Sequence, residues 1–104
     1  AAAMSEGRQL TVYRIVQEAL TNTLKHGGPR VSVSVRLCYS DDALEIRVVD
    51  DGRGAAAPDD GRGHGLAGMR ERAAVYGGTV VSGPRPGGGF EVVASLPVRE
   101  EVAA

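Results

Sequence analysis

Apolar residues recur along this 104-residue chain with two periods, one of three to four residues and one of two. The longer period extends from Gln9 to His26 and predicts an amphipathic helix. Glycines at 27 and 28 and a proline at 29 follow it, as is typical after a helix end. The apolar face predicted for this helix consists of Leu10, Tyr13, Val16, Ala19 or Leu20, and Leu24.

The two-residue period occurs in four segments and is typical of strands that are buried on one face. VSVSVRLCY and ALEIRVV are joined by a short SDDA turn and predict an antiparallel hairpin. TVVSG and FEVVASLPV predict a second hairpin across PRPGGG. The residues expected to face the core are Val31, Val33, Val35, Leu37, Tyr39, Leu44, Ile46, Val48, Phe90, Val92, Ala94 and Leu96.

A polar, glycine-rich segment from Gly52 to Gly65 separates the hairpins and is expected to be a mobile loop. A second helix is predicted from Leu66 to about Tyr76. Because each helix and strand is apolar on only one side, the elements must cover one another. The pattern predicts an α+β fold, a two-layer α/β sandwich with helices packed on one face of a mixed, mostly antiparallel sheet.

The chain length favours one domain, expected to span residues 9–98. Residues 1–8 are expected to be a frayed start whose first three alanines are foreign to the domain, and residues 99–104 a tail. The net charge of −1 gives no basic surface for nucleic acid, and no apolar run predicts membrane contact. With Cys38 as the single cysteine, the expected location is the cytoplasm.

Three polar residues of the first helix, Glu18, Asn22 and Lys25, recur at spacings of four and three and therefore share one side. By itself such a pattern most often marks a solvated face. A carboxylate, an amide oxygen and an ammonium in this arrangement would also suit a hydrated Mg²⁺ and the phosphates that it bridges.

The strand ALEIRVV ends at two carboxylates and is followed by Gly-x-Gly, in the sequence DDGRG. An Asp-Gly pair alone is most often a turn. This one leads into the predicted loop and not into a hairpin. Asp50 could accept a hydrogen bond from an amine such as that of adenine, while Gly52 and Gly54 leave room for a flat ligand.

Glycines also precede the second helix, in GRGHGLAGMRER. Free N–H groups at a helix start suit phosphate binding. Gly63, Gly65 and Gly68 match G-x-G-x-x-G, yet no strand precedes them and no βαβ unit follows, so a dinucleotide fold is excluded. A Walker A lysine and the motifs of eukaryotic-type kinases are also missing.

In order, EALTNTLKH, DDGRG, GHGLAGMRER and GGGFEVVASLP resemble the N box, the two glycine boxes and the last strand of the GHKL ATPase superfamily (Bergerat fold). The pairing of QEALTNTLKH with GLAGMRERA resembles the catalytic domain of bacterial sensor histidine kinases that signal to NarL-class response regulators. The resemblance covers residues 9–98.

That resemblance implies a domain that binds ATP and Mg²⁺ and presents the γ-phosphate to a histidine on a separate dimerisation domain. Gly89 and Phe90 stand where many relatives carry Gly-Thr, so a hydroxyl contact from that position is not expected. The implied roles are Mg²⁺ coordination by Asn22; orientation of groups near the γ-phosphate by Glu18; phosphate proximity for Lys25 and His26; adenine recognition by Asp50, Gly52 and Gly54; and a lid that includes Gly63, His64, Gly65 and Leu66.

Two alternatives stay open at this point. An anti-sigma-factor serine kinase would keep the fold and act as a free-standing domain. A non-enzymatic interaction module would keep the fold with a decayed nucleotide pocket. Both are disfavoured by residues, the first by the GMRER continuation and the second by the presence of Glu18, Asn22 and Asp50. For a sensor kinase, the location extends to the cytoplasmic part of a membrane-anchored protein.

Overall fold

A computed structural model describes residues 4–52 and 62–99 and shows two helices packed on one face of a four-stranded sheet. The strands lie in the order β1-β2-β4-β3, and all three pairings between them are antiparallel. The two-layer sandwich is confirmed, and within the described residues its sheet has none of the parallel pairing that a mixed sheet would include. The elements are α1 (Glu6–His26), β1 (Val33–Tyr39), β2 (Ala43–Asp50), α2 (Arg62–Val75), β3 (Thr79–Pro84) and β4 (Phe90–Pro97).

Helix α1 begins at Glu6, three residues before the predicted start and inside the stretch expected to be frayed. Ser5 caps it, because the Ser5 hydroxyl accepts the Arg8 N–H at 3.2 Å. Gly7 disfavours a helix by propensity, but it lies against the Tyr76 hydroxyl, which would have to shift to admit a Cβ. Arg8 closes this end by donating to the Pro97 carbonyl at 3.0 Å. Tertiary contacts therefore override the local preference.

The face that α1 buries agrees only in part with the apolar pattern, since Ala19 is buried as predicted and Val16 and Leu20 pack against the core. Leu10, Tyr13 and Leu24 are 51%, 61% and 79% exposed, whereas Ile15 and Ala19 are buried. The prediction was wrong at Leu10, Tyr13 and Leu24 because polar residues take up part of the buried face, which apolar spacing alone does not reveal. The polar residues buried on this face are Arg8, Thr11, Asn22 and Thr23.

Strand β1 was also predicted wrongly, since none of its residues is buried. It begins at Val33, two residues later than expected, and its apolar side chains are 40–63% exposed. The cause is position: β1 is an edge strand, and the core lies over the central strands β2 and β4. An alternating pattern does not reveal whether a strand is central or at an edge.

The inward faces of β2 and β4 match the prediction. Leu44, Ile46 and Val48 of β2 are buried, and so are alternate residues of β4. Together with α1 and α2 they form one core. Its buried members are Ile15, Ala19, Leu44, Ile46, Val48, Leu66, Met69, Ala73, Val80, Val92, Ala94, Leu96 and Val98.

Helix α2 begins at Arg62, four residues before the predicted Leu66. Of the glycines that argued against a helix, Gly65 packs closely against side chains of α1. The predicted helix end is confirmed: the Gly78 N–H donates to the Ala73 carbonyl at 2.8 Å, and Gly77 has a φ of 77°. Residues 53–61, the centre of the expected loop, lie outside the described residues. In the part that is described, no helix has the length and apolar content needed to cross a bilayer.

Candidate functional site

Asp50 is a buried carboxylate at the end of a central strand. It is 4% exposed, and the register places it between Val33 of β1 and Phe90 of β4. The Thr23 hydroxyl donates to Asp50 Oδ2 at 3.1 Å, and the Gly52 N–H donates to Oδ1 at 2.9 Å. Because each carboxylate oxygen can accept more than one hydrogen bond, Asp50 is held in place and can still accept from a ligand.

The second carboxylate of the DD pair has a different task. Asp51 is exposed, and its Oδ1 accepts the Ser32 N–H at 2.6 Å. The Asp51 N–H donates back to the Ser32 carbonyl at 3.1 Å. Asp51 therefore fastens the end of β2 to the residues that precede β1, while Asp50 faces α1.

Gly52 lies against the backbone of Gly27, the residue that caps α1. A Cβ on Gly52 would lie only 2.5 Å from the Gly27 Cα and closer still to its carbonyl oxygen. The glycine thus permits a backbone-to-backbone contact between the first glycine box and the end of α1. A shallow groove of about 400 Å³ opens beside this contact and is lined by Gly27, Gly28, Pro29, Arg30, Val31, Asp51 and Gly52.

Glu18, Asn22 and Gly65 form a second cluster, where the first turn of α2 meets α1. A Cβ on Gly65 would lie 2.5 Å from Glu18 Oε1 and 3.2 Å from Asn22 Oδ1. Asn22 is 9% exposed, and its Nδ2 finds no hydrogen-bond partner within residues 4–52 and 62–99. An unpaired buried amide costs about 1–3 kcal/mol, so this side chain fits a site that is completed by a ligand.

The two clusters are joined by neighbouring residues of one helix. Asn22 belongs to the Gly65 cluster, and Thr23, the next residue, holds Asp50. The structure therefore brings together residues from all three sequence motifs: Glu18 and Asn22, Asp50 and Gly52, and Gly65. Thr23 was missed, because no motif singles it out and its hydroxyl signals function only once Asp50 is known to face it.

The remaining predicted residues are placed as follows. Lys25 is exposed and His26 partly buried in the last turn of α1, where both basic side chains suit the helix C-terminus. Leu66 belongs to the core, at 9% exposure. Gly63 and His64 lie in the first turn of α2, and only their place in that turn is described. Gly54 is outside the described residues.

The polar groups around Glu18 and Asn22 suit a metal ion that takes most of its ligands from phosphates and water. Within the described ranges, no group of three or more His, Cys, Asp or Glu side chains is arranged to hold an ion. Glu18 and Asn22 offer one carboxylate and one amide. This small oxygen set is what Mg²⁺ uses when phosphates and water supply the other ligands.

The chain belongs to the family of histidine kinase-, DNA gyrase B- and HSP90-like ATPases, whose sequence model matches residues 7–100. Within that family it is homologous to the catalytic domains of sensor histidine kinases. The resemblance of the motifs to the GHKL superfamily and to sensor histidine kinase catalytic domains is thereby confirmed.

Three curated relatives illustrate this homology. The signal transduction histidine-protein kinase/phosphatase UhpB of Salmonella typhimurium is 36% identical over 97 residues, which is 93% of this chain and 19% of that protein. Sensor protein VraS of Staphylococcus aureus is 41% identical over 88 residues, 82% of this chain and 25% of VraS. Sensor histidine kinase LnrJ of Bacillus subtilis is 41% identical over 70 residues, 67% and 17% of the respective chains. The chain thus spans a quarter or less of the length of these relatives.

The catalytic domain of histidine kinase ThkA has the same fold. Its structure matches with a TM-score of 0.72 at 14% identity, over 88% of this chain and 69% of that one. The sandwich described above is therefore the fold of a histidine kinase catalytic domain.

Proposed function

We propose that this domain binds ATP with Mg²⁺ and presents the γ-phosphate to a histidine side chain on a separate dimerisation domain. The observation that carries the proposal is the buried Asp50 carboxylate, fixed by Thr23 and Gly52 beside the polar side of α1. Membership of an ATPase family supplies the nucleotide, and the relatives named as sensor kinases favour the histidine acceptor over the serine kinase alternative.

Asp50 is the group proposed to recognise the base. A carboxylate that receives two donors from the protein offers only acceptor lone pairs to a ligand. The exocyclic amine of adenine is a donor, whereas the corresponding oxygen of guanine or hypoxanthine is an acceptor. Adenine therefore suits this position, and a 6-oxo purine leaves the carboxylate facing an oxygen.

The Glu18 and Asn22 cluster is proposed to hold the triphosphate end. Asn22 would coordinate Mg²⁺ through its amide oxygen and donate its free N–H group to a ligand oxygen; Glu18 would orient groups near the γ-phosphate. Lys25 and His26 would lie near the phosphates. Gly54 would shape the adenine pocket beside Gly52, and Gly63, His64, Gly65 and Leu66 would form the cover over the phosphates.

Phosphoryl transfer needs chiefly positioning and neutralisation of charge. A neutral imidazole nitrogen attacks the γ-phosphorus, a P–N bond forms, and the bond to the ADP oxygen breaks. The bound Mg²⁺ would neutralise phosphate charge. The residues of this chain hold the base at one end and the phosphates at the other, so the γ-phosphorus is aligned for the incoming histidine.

The wider context follows the relatives and is part of the same proposal. The acceptor histidine would lie on the dimerisation domain of the same kinase, and the phosphoryl group would pass to a NarL-class response regulator. The domain would lie in the cytoplasm, as one part of a longer sensor kinase. Residues 9–98, together with the helical turn before them, would form its folded unit.

The test is isothermal titration calorimetry of ATP and inosine triphosphate (ITP), which differ at the 6-position of the purine, with Mg²⁺ present. The unaltered chain is expected to bind ATP at least tenfold more tightly than ITP, since a hydrogen bond to a charged group contributes about 1.5–3 kcal/mol. Asp50→Asn places an amide donor at the same position. We expect it to weaken ATP binding and to abolish or reverse the preference.

Asp42→Asn, the same change on an exposed residue of the β1–β2 turn, is the matched control and should bind like the parent. Equal ATP preference in the Asp50→Asn variant and the parent would show that Asp50 does not read the base. Omitting Mg²⁺ tests the metal separately, and unchanged ATP affinity without it would remove the metal from the proposal.

A further inference from the structure

We propose that Thr23 is a specificity-determining residue, which makes the Asp50 carboxylate selective for a purine with a 6-amino group. This inference rests on the proposed function, because it assumes that Asp50 meets the base. It adds a residue that lies within EALTNTLKH but was given no role there, and assigns it a positioning role that acts through Asp50.

The contact is buried on both sides. Thr23 and Asp50 are each 4% exposed, and the Thr23 Oγ1 donates to Oδ2 at 3.1 Å across 27 residues of sequence. With the Gly52 N–H on Oδ1, both carboxylate oxygens are held by donors from different segments. Rotation of the carboxylate would break both bonds at once, so its plane is fixed.

A threonine is a weak choice for this position on helical grounds. Its branched side chain lowers helix propensity, and its hydroxyl commonly bonds back to a carbonyl one turn earlier. Here the hydroxyl instead donates across to β2. The Thr23 carbonyl also accepts the Gly27 N–H at 2.8 Å, and Gly27 supports Gly52. Thr23 thus supplies one donor to Asp50 directly and, through Gly27, supports Gly52, which supplies the other.

The chemistry follows from the number of protons. The single hydroxyl proton of Thr23 is used on Asp50, so the pair presents acceptors to a ligand at this point. Without the hydroxyl, Oδ2 loses its protein donor, and the carboxylate has one bond left to define its direction. A carboxylate free to turn would grip an amine less well and would avoid a 6-oxo group less strictly. Selectivity should therefore fall together with affinity.

The experiment compares Thr23→Val, which removes the hydroxyl at nearly constant shape, with Thr23→Ser, which keeps it. ATP and ITP affinities are measured by calorimetry on the whole 104-residue chain, beside a urea unfolding curve for each variant. We expect Thr23→Val to weaken ATP binding about tenfold, equivalent to about 1.4 kcal/mol, with ITP affinity changed less than about twofold. Thr23→Ser should restore the parent ATP-to-ITP ratio to within about threefold. If the valine variant does not fold, Thr23→Ala is the second variant without a hydroxyl.

A purely structural role predicts a different result. Thr23→Val would then lower the unfolding midpoint but leave the ATP-to-ITP ratio unchanged, and that result would overturn the proposal. Coupling gives a second criterion: in an Asp50→Asn background, Thr23→Val should not reduce the ratio further. A parent chain without any preference for ATP would refute the proposed role of Asp50. A preference that Asp50→Asn abolishes and Thr23→Val leaves intact would refute the role of Thr23 alone.

Discussion

Replacing Gly52 by alanine should destabilise the domain, because the added methyl group collides with backbone. The new Cβ would lie 2.5 Å from the Gly27 Cα and 2.8 Å from the Gly27 carbonyl carbon, where carbon atoms normally approach to about 3.5–4.0 Å. Gly52 does not have the positive φ that would strain alanine by itself, so the collision is the dominant effect. Overpacking of this kind costs about 1–3 kcal/mol.

The magnitude can be measured by urea and thermal unfolding followed by far-UV circular dichroism. For a domain of this size, a loss of 1 kcal/mol lowers Tm by about 4–8 °C, so Gly52→Ala should unfold at least about 4 °C below the parent. Relief of the collision would require the first glycine box to move away from the end of α1. The groove beside Gly27 should therefore change as well.

Gly83→Ala is the matched control. Gly83 lies in β3 and has no positive φ, and apart from Gly83 itself and its two chain neighbours, no described atom lies within 4 Å of the position that an alanine Cβ would take there. Alanine in a strand interior gains about 0.5–1 kcal/mol over glycine, so this variant should be neutral or slightly more stable. If Gly52→Ala and Gly83→Ala have free energies of unfolding within about 0.5 kcal/mol of each other, the backbone contact does not constrain position 52.

Two further substitution pairs test the packing that surrounds the site. Ile15→Ala should lower the free energy of unfolding by about 2–5 kcal/mol, because Ile15 is fully buried. Leu24→Ala should lower it by less than about 0.5 kcal/mol, because Leu24 is 79% exposed. Similar losses for the two variants in urea titrations would mean that the buried face of α1 is misplaced. Gly89→Ala should cost more than Gly87→Ala, since both have positive φ but only a methyl group at 89 would meet the Asp50 carbonyl oxygen; equal unfolding midpoints would contradict that contact.

Local pattern was sufficient where an element is central to the sheet or bounded by glycine. The inward residues of β2 and β4 and the end of α2 at Gly77 agree with the prediction. The order of the motifs also indicated which of them would meet, since α1 and the end of β2 do lie together. Period and turn chemistry are local properties, and the sequence displays them directly.

What the pattern missed depends on tertiary contacts. Whether β1 is covered is decided by where the helices lie, and alternation does not report that. The buried side of α1 carries Asn22 and Thr23, whose polarity by itself argues for exposure. Gly7 and Gly65 argue against a helix, yet at each position a Cβ would require a neighbouring side chain to shift. Thr23 belongs with these, as a contact made across 27 residues.

The adjacency of Asn22 and Thr23 on α1 sets a fixed spacing. Consecutive helical residues diverge by about 100° and rise only about 1.5 Å along the axis, so their side chains point to two different places from a single rigid rod. Any rotation or translation of α1 must therefore move the side chains of Asn22 and Thr23 together. A ligand long enough to contact both Asn22 and Asp50 must match the distance that the helix fixes between them. A nucleoside without phosphates would contact only the Asp50 end.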